Sequence, residues 1–371
     1  MKIAVVVAFA LWIAASPAAA QVGIGGQTAV HFLKSAPTSS PLSVNNGRPS
    51  FGWQLYFFLD GRVTEHVTAM SNISVTDNEY LNFDLVAIRL TNLTPLGLNV
   101  EAGKVDVPFG NLGERRFPRR NPLFGLPLMY EYRTALPDHL TTEAEVLANQ
   151  GQGRGMRLLD LGLYDLGGVL FGSWGIVDYA VAVTNGTIST TSYSGEVSNS
   201  DVAKVIRLAV TPMTGLTIGA AYTWGAYLEE PTSPPPGTVN VNSYKQKAAE
   251  IDVEFSRGHA VLYGQAVYNI WPVPFDTGNE NLNVLGYYLE GKFTVIPRLY
   301  LALRFSGLQF GHATLGNSTG PWDYDVTEWE GGAGYFAERD VLIKLVRRET
   351  RIHGGSWPKD NLTVLQLTVA Y

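Results

Sequence analysis

The chain of 371 residues contains no cysteine. It can therefore form no disulfide framework and no thiolate metal site, and it offers neither a cysteine nucleophile nor a cysteine for a lipid anchor. Charged residues are also scarce: they make up 16% of the chain, compared with about a quarter in soluble domains. Both absences argue against a small disulfide-stabilised domain and against an ordinary soluble one.

Long hydrophobic runs are absent beyond the N-terminal segment. No later stretch approaches the roughly 20 consecutive apolar residues that a membrane helix requires, and the mean hydropathy is only +0.03. A transmembrane β-strand, in contrast, needs an apolar residue only at every second position. The sequence thus excludes a bundle of membrane helices and leaves a membrane β-barrel open.

The sequence also lacks the short motifs of common catalytic sites. There is no Gly-x-Ser-x-Gly elbow, no His-Glu-x-x-His pair, no P-loop and no dinucleotide-binding glycine pattern. The six histidines have no metal-ligand spacing. We expect no enzyme, no metal and no cofactor. A hydrolase with a Ser-His pair on a barrel wall stays open, because strands bring distant residues together.

The N-terminus has the pattern of a secretory signal peptide. Lys2 supplies a positive charge, an apolar stretch follows, and the small residues at 18–20 fit a signal-peptidase site. We predict that residues 1–20 are a cleaved signal and that residues 21–371 form one domain, with a retained anchor as the alternative. Removing Lys2 leaves 26 basic residues (27 − 1) against 33 acidic ones, so nucleic acid is not an expected partner.

The mature chain shows alternation with a period of two. In residues 297–310, for example, Leu301 and Leu303 share one parity while Arg304 and Ser306 share the other. Such alternation indicates β-strands with one apolar and one wet face. Sixteen segments of this kind are predicted, at about 27–34, 50–60, 62–74, 82–93, 97–107, 154–163, 168–184, 202–212, 214–228, 246–256, 258–271, 283–295, 297–310, 325–337, 340–352 and 360–371.

The connections between these segments provide a second indication. Every second connection is short and carries turn residues, as at Asp60-Gly61 and Arg257-Gly258, and the intervening ones are longer and polar. This asymmetry and an even strand count are typical of bacterial outer-membrane barrels with both termini in the periplasm. The sequence therefore predicts an all-β, antiparallel up-and-down barrel of about 16 strands. Its final residue, Tyr371, resembles the aromatic C-terminal signal that such barrels present to the barrel assembly machinery.

Charged residues within the strands are expected to face the lumen. In the hydrocarbon layer every backbone group must be paired by barrel closure, and a Lys or Arg on the lipid face near the midplane costs roughly 2–4 kcal/mol. Barrels of about sixteen strands leave an aqueous lumen, whereas those of about eight are filled by their own side chains. The lumen-facing candidates by parity are Arg89, Arg157, Arg207, Glu250, Asp252, Glu254, Glu290, Lys292, Arg304 and Glu330.

The connection from about residue 108 to residue 153 is far longer than any other, and it is the third on the long-loop side. Loops of this length are usually functional or disordered, and a loop folded into the lumen narrows the passage until side-chain charges act across it. Its guanidinium groups suit phosphate and carboxylate. The candidate constriction and selectivity residues are Arg115, Arg116, Arg119, Arg120 and Arg133.

Three interpretations of this basic run remain open. It can form an anion-attracting constriction, or bind phosphates of a surface glycolipid from outside the lumen. It can also pair with acidic residues of the same loop, which make the loop about neutral: Glu114, Glu131, Asp138, Glu143 and Glu145. The acidic face of the strand at 246–256 argues against a uniformly positive lumen.

Several segments resemble a known family. Residues 102–110 (AGKVDVPFG) are similar to the Gly-x-x-x-x-Pro-Phe-Gly signature of the phosphate-selective porin (O and P type) family. Residues 178–186 resemble that family's strand ending in Asn-Gly, and Thr211-Pro212 and the segments at 286–291 and 296–299 follow in matching order. The resemblance spans about residues 80–371. It implies a sixteen-stranded barrel, often trimeric, that passes anions or small nutrients.

Two departures limit what the resemblance implies. The N-terminal coiled-coil segment and the lysine-rich loop of the family are not evident, so a homotrimer stays open and phosphate specificity is not carried over. We expect an outer-membrane porin for passive diffusion of small hydrophilic solutes, with an anion bias. Its expected partners are outer-membrane lipid, the assembly machinery and the solutes. The alternative is a structural barrel that sheathes a partner protein such as an electron-transfer cytochrome.

Overall fold

The computed structural model describes residues 21–35, 47–76, 80–95, 97–191, 199–230, 239–275, 278–316, 318–355, 357 and 359–371. The predicted signal peptide lies outside these residues. No helix in the described ranges is long and apolar enough to cross a membrane. The strands are β1 (Gln21–Ser35), β2 (Ser50–Arg62), β3 (Val67–Thr76), β4 (Leu81–Leu90), β5 (Asn99–Asp106), β6 (Tyr164–Trp174), β7 (Val177–Thr184), β8 (Ala203–Met213), β9 (Leu216–Ala226), β10 (Lys245–Arg257), β11 (Ala260–Phe275), β12 (Gly278–Ile296), β13 (Leu299–Phe310), β14 (His312–Leu315), β15 (Ser318–Pro321), β16 (Val326–Glu338), β17 (Val341–Ile352) and β18 (Asp360–Ala370).

Sixteen of the strands in the described part of the chain close into one antiparallel barrel. Strands that follow one another in sequence pair with each other, except that β13 pairs with β16 across the small hairpin β14–β15. The barrel closes where β1 pairs with β18, with Gln27 opposite Ala370. Closure leaves no strand edge unpaired, as the hydrocarbon layer demands. The predicted sixteen-stranded up-and-down barrel is confirmed.

Side chains alternate along the strands, so that the outer surface of the barrel is apolar and its inner surface is polar or tightly packed. On β13, Leu303 is 54% exposed on the outer face, whereas Arg304 is 1% exposed on the inner face. On β16, Trp329 faces out and Glu330 faces in, opposite Arg304 in the register. The period-two pattern thus places the strand charges of this region inside the barrel, because a wet or paired environment exists only there.

Two of the predicted strands are wrong. Residues 154–163 are not a strand: they form the end of a long loop, and only an isolated bridge joins Arg157 to Arg133. Residues 168–184 are not one strand but parts of two, β6 and β7, separated by a tight turn at Gly175, whose φ is +62°. The two errors compensate, so the predicted count equals the observed one.

The connections alternate as predicted, with one revision. The turns at one barrel end (the turn end) are short, such as residues 175–176, 214–215, 258–259 and 297–298. At the opposite end (the loop end) most connections are longer, but residues 77–80 and 276–277 are as short as turns. Gln21, the first described residue, and Tyr371 both lie at the turn end. There, the backbone of Tyr371 exchanges two hydrogen bonds with Gly26, at 2.9 and 3.0 Å.

The third connection at the loop end runs from residue 107 to residue 163 and is called the inserted loop here. It is longer than the predicted 108–153 because the false strand belongs to it. It contains the short helices Leu128–Glu131 and Glu143–Asn149 and a 3-10 turn at Gly113–Arg116. Its side chains pack against inward-facing residues of the barrel wall, so the expected inward folding of this loop is confirmed.

Candidate functional site

The inserted loop turns into the lumen directly after β5. Phe109 is buried, and Gly110 has a φ of +83°, a conformation that favours glycine. The backbone N–H of Gly110 donates to Glu250 Oε1 on β10 at 2.9 Å. Asn111 then donates its side-chain amide to the carbonyls of Val253 and Gly264. The Pro-Phe-Gly segment thus directs the chain across the lumen toward β10 and β11.

A cluster of buried charges holds the middle of the loop on the opposite wall. Lys344 Nζ on β17 donates to the carbonyl oxygens of Pro118, Asn121 and Leu123, at 2.9, 3.2 and 2.7 Å. Glu330 Oε1 on β16 accepts from the backbone N–H groups of the two residues at 124–125, at 3.1 and 3.0 Å. These wall charges therefore satisfy loop backbone groups that would otherwise be buried without partners.

The same side of the lumen contains a dry hydrophobic core. Inward-facing apolar residues of β11 and β12, such as Trp271 and Leu282, are fully buried beneath the loops. Leu158 and Leu159 of the inserted loop belong to the same core, and Trp322 packs edge-on against Trp271 with ring centroids 5.9 Å apart. A core of this kind excludes water, and the open part of the lumen is lined mainly by β1–β8.

Each arginine of the basic run has a carboxylate partner. Arg115 is buried; it pairs with Glu290 on β12 at 2.9 Å, donates to Tyr288 Oη at 2.8 Å and stacks on the ring of Tyr263. Arg119 pairs at 2.7 Å with Asp340, which lies in the turn between β16 and β17. The run therefore spans from the lumen wall to the turn end of the barrel.

Arg116 and Arg120 both line the open lumen, although the Arg116 side chain is only 9% exposed. Arg116 donates from Nη2 to both carboxylate oxygens of Asp106 at 3.0 Å, and its guanidinium lies 4.5 Å from the ring centroid of Tyr164. Arg120 pairs with Glu114 at 3.3 Å, and its side chain is 63% exposed. Of the five acidic loop residues named above, Glu114 forms an ion pair with this run.

Three cavities occupy the open part of the lumen, and Arg116 lines all of them. An upper cavity of about 360 Å³ is lined by residues nearer the loop end of β2–β4, including Gln54, Thr76 and Asp84. A lower cavity of about 530 Å³ is lined by residues nearer the turn end, including Asp60 and Arg89. A side cavity of about 400 Å³ lies against β5–β8. Arg116 thus stands between the two barrel ends.

The lower cavity carries charges of both signs. Arg89, Arg116, Arg119 and Arg120 line it together with Asp60, Asp106 and Glu114. Arg89 is itself paired with Glu101 at 2.8 Å. Asp106 is the more exposed member of its pair with Arg116, and the side chains of Arg120 and Glu114 are both exposed. The electrostatic field in this cavity is therefore mixed and not uniformly positive.

Most of the remaining predicted site residues form buried ion pairs. Arg207 lies 2.5 and 2.6 Å from Glu250 and Asp252, and Arg304 bridges Glu290 and Glu330, so these form buried pairs in the wall. Glu254 is exposed near the turn end, and Lys292 Nζ lies over the ring of Tyr300 at 4.6 Å.

Arg133 and Arg157 both lie in the inserted loop, as predicted for Arg133 but not for Arg157. Arg133 is exposed in the inserted loop, donates to the carbonyl of Gly155 and does not line the three cavities. The prediction that Arg157 points inward from a strand is wrong: it lies in the same loop, 3.6 Å from Asp160. Burial raises the pKa of this Asp160 above its ordinary value.

Several residues of the site were missed by the sequence analysis. Asp106 and Asp84 line the cavities, and Lys344 and Arg348 anchor the loop. Lys344 and Arg348 share the inward parity of β17, so the alternation rule could have found them. Asp106 belongs to the segment at 102–110 that carried the family resemblance. No cluster of potential metal ligands occurs among the described residues.

Comparison with solved structures identifies the fold as that of bacterial outer-membrane porins. The chain is similar to the anion-selective porin from Comamonas acidovorans, with a TM-score of 0.63 and 10% identity over 95% of this chain and 100% of that one. It is similar to the outer membrane channel DcaP of Acinetobacter baumannii, with a TM-score of 0.62 and 12% identity over 96% and 99%. It is also similar to Salmonella typhi OmpF in complex with daunomycin, with a TM-score of 0.58 and 8% identity over 96% and 99%.

These likenesses concern the fold, because all the identities are low. No family profile and no curated protein matches the chain. The resemblance to the phosphate-selective porins therefore rests on the quoted motifs alone.

Proposed function

We propose that the chain forms an outer-membrane channel through which small hydrophilic solutes diffuse passively. The observation that carries this proposal is the position of Arg116 between an upper and a lower cavity, which β1–β4 and the inserted loop line. The likeness to the anion-selective porin and to the channel DcaP supports it. Export by a cleaved signal at residues 1–20 and assembly through Tyr371 belong to the same proposal.

The passage is narrow for a barrel of this size. The inserted loop packs into the lumen, and the three cavities that Arg116 lines measure about 360 to 530 Å³. Such volumes admit small molecules but not a folded protein, so a channel is favoured over a sheath around a cytochrome. The absence of catalytic motifs in the sequence favours a channel over a hydrolase.

The anion bias is proposed to come from Arg116 and Arg120, with Arg115 and Arg119 acting mainly as loop anchors. Arg115 is buried in its pair with Glu290 and lines none of the three cavities, and Arg119 is held by Asp340 and lines only the lower one, whereas Arg116 lines all three. Arg120 is the most exposed of the four. No specificity for phosphate is proposed, because the mixed charge of the lower cavity offers no cluster of unpaired cations.

Conductance and reversal potentials in a planar bilayer test the proposal. The purified barrel should conduct with a single-channel conductance well below that of an open sixteen-stranded barrel, and a KCl gradient should give a reversal potential on the anion side. Arg116→Gln and Arg120→Gln should move that potential toward zero. Arg298→Gln, at an exposed turn outside the cavities, is the matched control. A silent barrel removes the channel; unchanged potentials remove the anion bias alone.

A further inference from the structure

The outer face of β1, β18 and β17 carries two cations in one row of side chains at the loop end. Lys34 lies opposite Thr363, and Thr363 lies opposite Arg347, so the three form one row across adjacent strands. Lys34 and Arg347 are exposed, and Arg347 Nη1 donates to Thr363 Oγ1 at 2.6 Å. Their parity is that of outward-facing neighbours, since Leu345 on β17 is 58% exposed.

Directly below this row the same face is apolar. The next row toward the turn end is Phe32, Leu365 and Leu345, and the row after it is Val30, Leu367 and Ile343. The outer face thus changes from apolar to cationic between one outward-facing row and the next. Such a boundary is expected where the hydrocarbon layer gives way to lipid headgroups, at which basic side chains and aromatic rings are favoured.

More cations lie beyond the row. Arg351 faces outward on β17 and is exposed, and Lys359 precedes β18. Glu349 is the carboxylate that pairs with Lys359, at 2.5 Å, and it also interacts with Arg347 and Arg351. Four cations therefore face one carboxylate. We call this set of five residues the outer basic patch.

The neighbouring segments outside the described residues do not change this balance. Residues 36–46, which connect β1 to β2, contain neither an acidic nor a basic side chain, and residues 356 and 358 are Ser and Pro. Asp360 is buried and Asp325 accepts from the backbone of Phe310, so neither belongs to the outer face. The patch retains an excess of about three positive charges.

We propose that the outer basic patch binds the phosphorylated headgroup of a lipid in the outer leaflet. Guanidinium and ammonium groups are phosphate ligands, and the apolar rows below accept the acyl chains. The phosphate belongs to a lipid and is not free phosphate, because the cations lie at the edge of the apolar belt outside the lumen. This inference rests on the proposed location in an outer membrane.

Native mass spectrometry of the barrel in an uncharged detergent tests the site. The probe is diphosphoryl lipid A, titrated against wild type and against the triple variant Lys34→Gln, Arg347→Gln, Arg351→Gln. Because each basic residue near an anionic lipid surface contributes about 1 kcal/mol, we expect the triple variant to bind the probe about a hundredfold more weakly. The matched control removes three scattered cations near the turn end, Arg62→Gln, Arg257→Gln and Arg298→Gln, and should bind as wild type does.

Three outcomes overturn the proposal. Equal binding by wild type and the triple variant removes the site. An equal loss in the control variant shows that overall charge, and not the patch, attracts the lipid. Displacement of the lipid by equimolar inorganic phosphate shows a free-anion site. If the triple variant does not fold, the double variant Lys34→Gln, Arg351→Gln gives the same test, since it disrupts neither the Arg347–Thr363 bond nor the Lys359–Glu349 pair.

The channel is tested separately. The three substituted residues of the patch lie outside the lumen, so the conductance and reversal potential of the triple variant should equal those of wild type. Loss of lipid binding with intact conductance supports the patch and the channel together. Lipid binding by a barrel that does not conduct retains the patch and removes the proposed channel.

Discussion

Arg116 and Asp106 form an ion pair in which the guanidinium Nη2 lies 3.0 Å from both carboxylate oxygens. The pair lies where the cavities of the lumen meet. The pair sets a cation from the inserted loop against an anion from the end of β5. Because the Arg116 side chain is the more buried partner and the Asp106 side chain is 46% exposed, the carboxylate screens the guanidinium from a passing solute. The selectivity of the passage therefore depends on both members.

Asp106→Asn is expected to increase the preference for anions. The substitution removes the screening carboxylate and leaves Arg116 stacked on Tyr164 and bonded to the carbonyl of Gly162. A unit charge acts on an ion at 4 Å in water with about 1 kcal/mol, so the anion-to-cation permeability ratio should rise roughly fivefold. Reversal potentials in a KCl gradient measure it.

Asp178→Asn is the matched control, since Asp178 lines the side cavity but not the lower one. A ratio that rises equally in both variants indicates a general effect of net charge, and a fall in Asp106→Asn contradicts the assigned role of the pair.

Lys344→Met is expected to loosen the inserted loop without opening the barrel. Methionine keeps most of the side-chain volume but leaves the carbonyls of residues 118, 121 and 123 without their buried donor. Losing such a donor costs about 3 kcal/mol, and the loop should become cleavable by protease in folded protein. Current noise in single-channel records should rise with it.

Lys247→Met provides the control for this change, because Lys247 is exposed on the outer face of β10. If the loop of the Lys344→Met variant resists protease as well as the loop of the control does, the anchoring role is contradicted.

How much of this structure the sequence predicts differs between the barrel and the loop. The strand alternation correctly predicts that Arg304 and Glu330 face inward, because a charge on the lipid face is costly near the membrane midplane. The false strand at 154–163 arises because Leu159, Leu161 and Leu163 alternate with Asp160 and Gly162 as strand residues do, although Leu159 and Leu163 pack into the lumen core. The turn after Trp174 was not predicted because it contains a single glycine and no proline or acidic residue.

The partners of the basic run were beyond the reach of sequence patterns. Arg115 pairs with a residue 175 positions away, and Arg119 with one 221 positions away. Periodicity places each of these side chains on a face, but the contact depends on how the loop folds across the lumen. The dry core was missed for the same reason: apolar inward residues such as Trp271 and Val273 resemble lipid-facing ones in a sequence.

Gly110→Ala is expected to disturb the position of the inserted loop. A Cβ atom there would lie 2.5 Å from Gln265 Nε2 and 2.9 Å from Tyr130 Oη, at a φ of +83°. Left-handed strain of about 1–2 kcal/mol adds to about 1–3 kcal/mol of overpacking. Thermal unfolding should occur at a lower temperature, and single-channel conductance should become larger or more variable.

Gly113→Ala separates these two contributions. Gly113 has a φ of +49°, and an added Cβ would meet nothing within 4 Å, so this variant carries the strain without the overlap. Equal effects of the two substitutions would show that the contact with Gln265 and Tyr130 has no part in seating the loop.

Asp323 is expected to make the packing at the loop end depend on pH. Burial raises its pKa from 3.8 to about 7, opposed by backbone N–H groups of Gly151, Tyr324 and Ala135 and reinforced by Asp325. Because the folded pKa is the higher one, the folded state binds the proton more tightly than the unfolded state. Stability is therefore highest below about pH 4 and declines as pH rises to about 7. Hydrogen exchange at residues 134–151, corrected for its intrinsic rate, should accelerate across this interval.

Asp323→Asn supplies the decisive comparison for this pH effect. The amide oxygen of Asn can still accept from the backbone, but the residue has no proton to lose, so the corrected exchange should become independent of pH in this interval. Asp138→Asn, at a half-exposed loop carboxylate, should leave the wild-type dependence unchanged. Exchange that slows as pH rises in wild type, or a dependence that persists in Asp323→Asn, assigns the titration to another group.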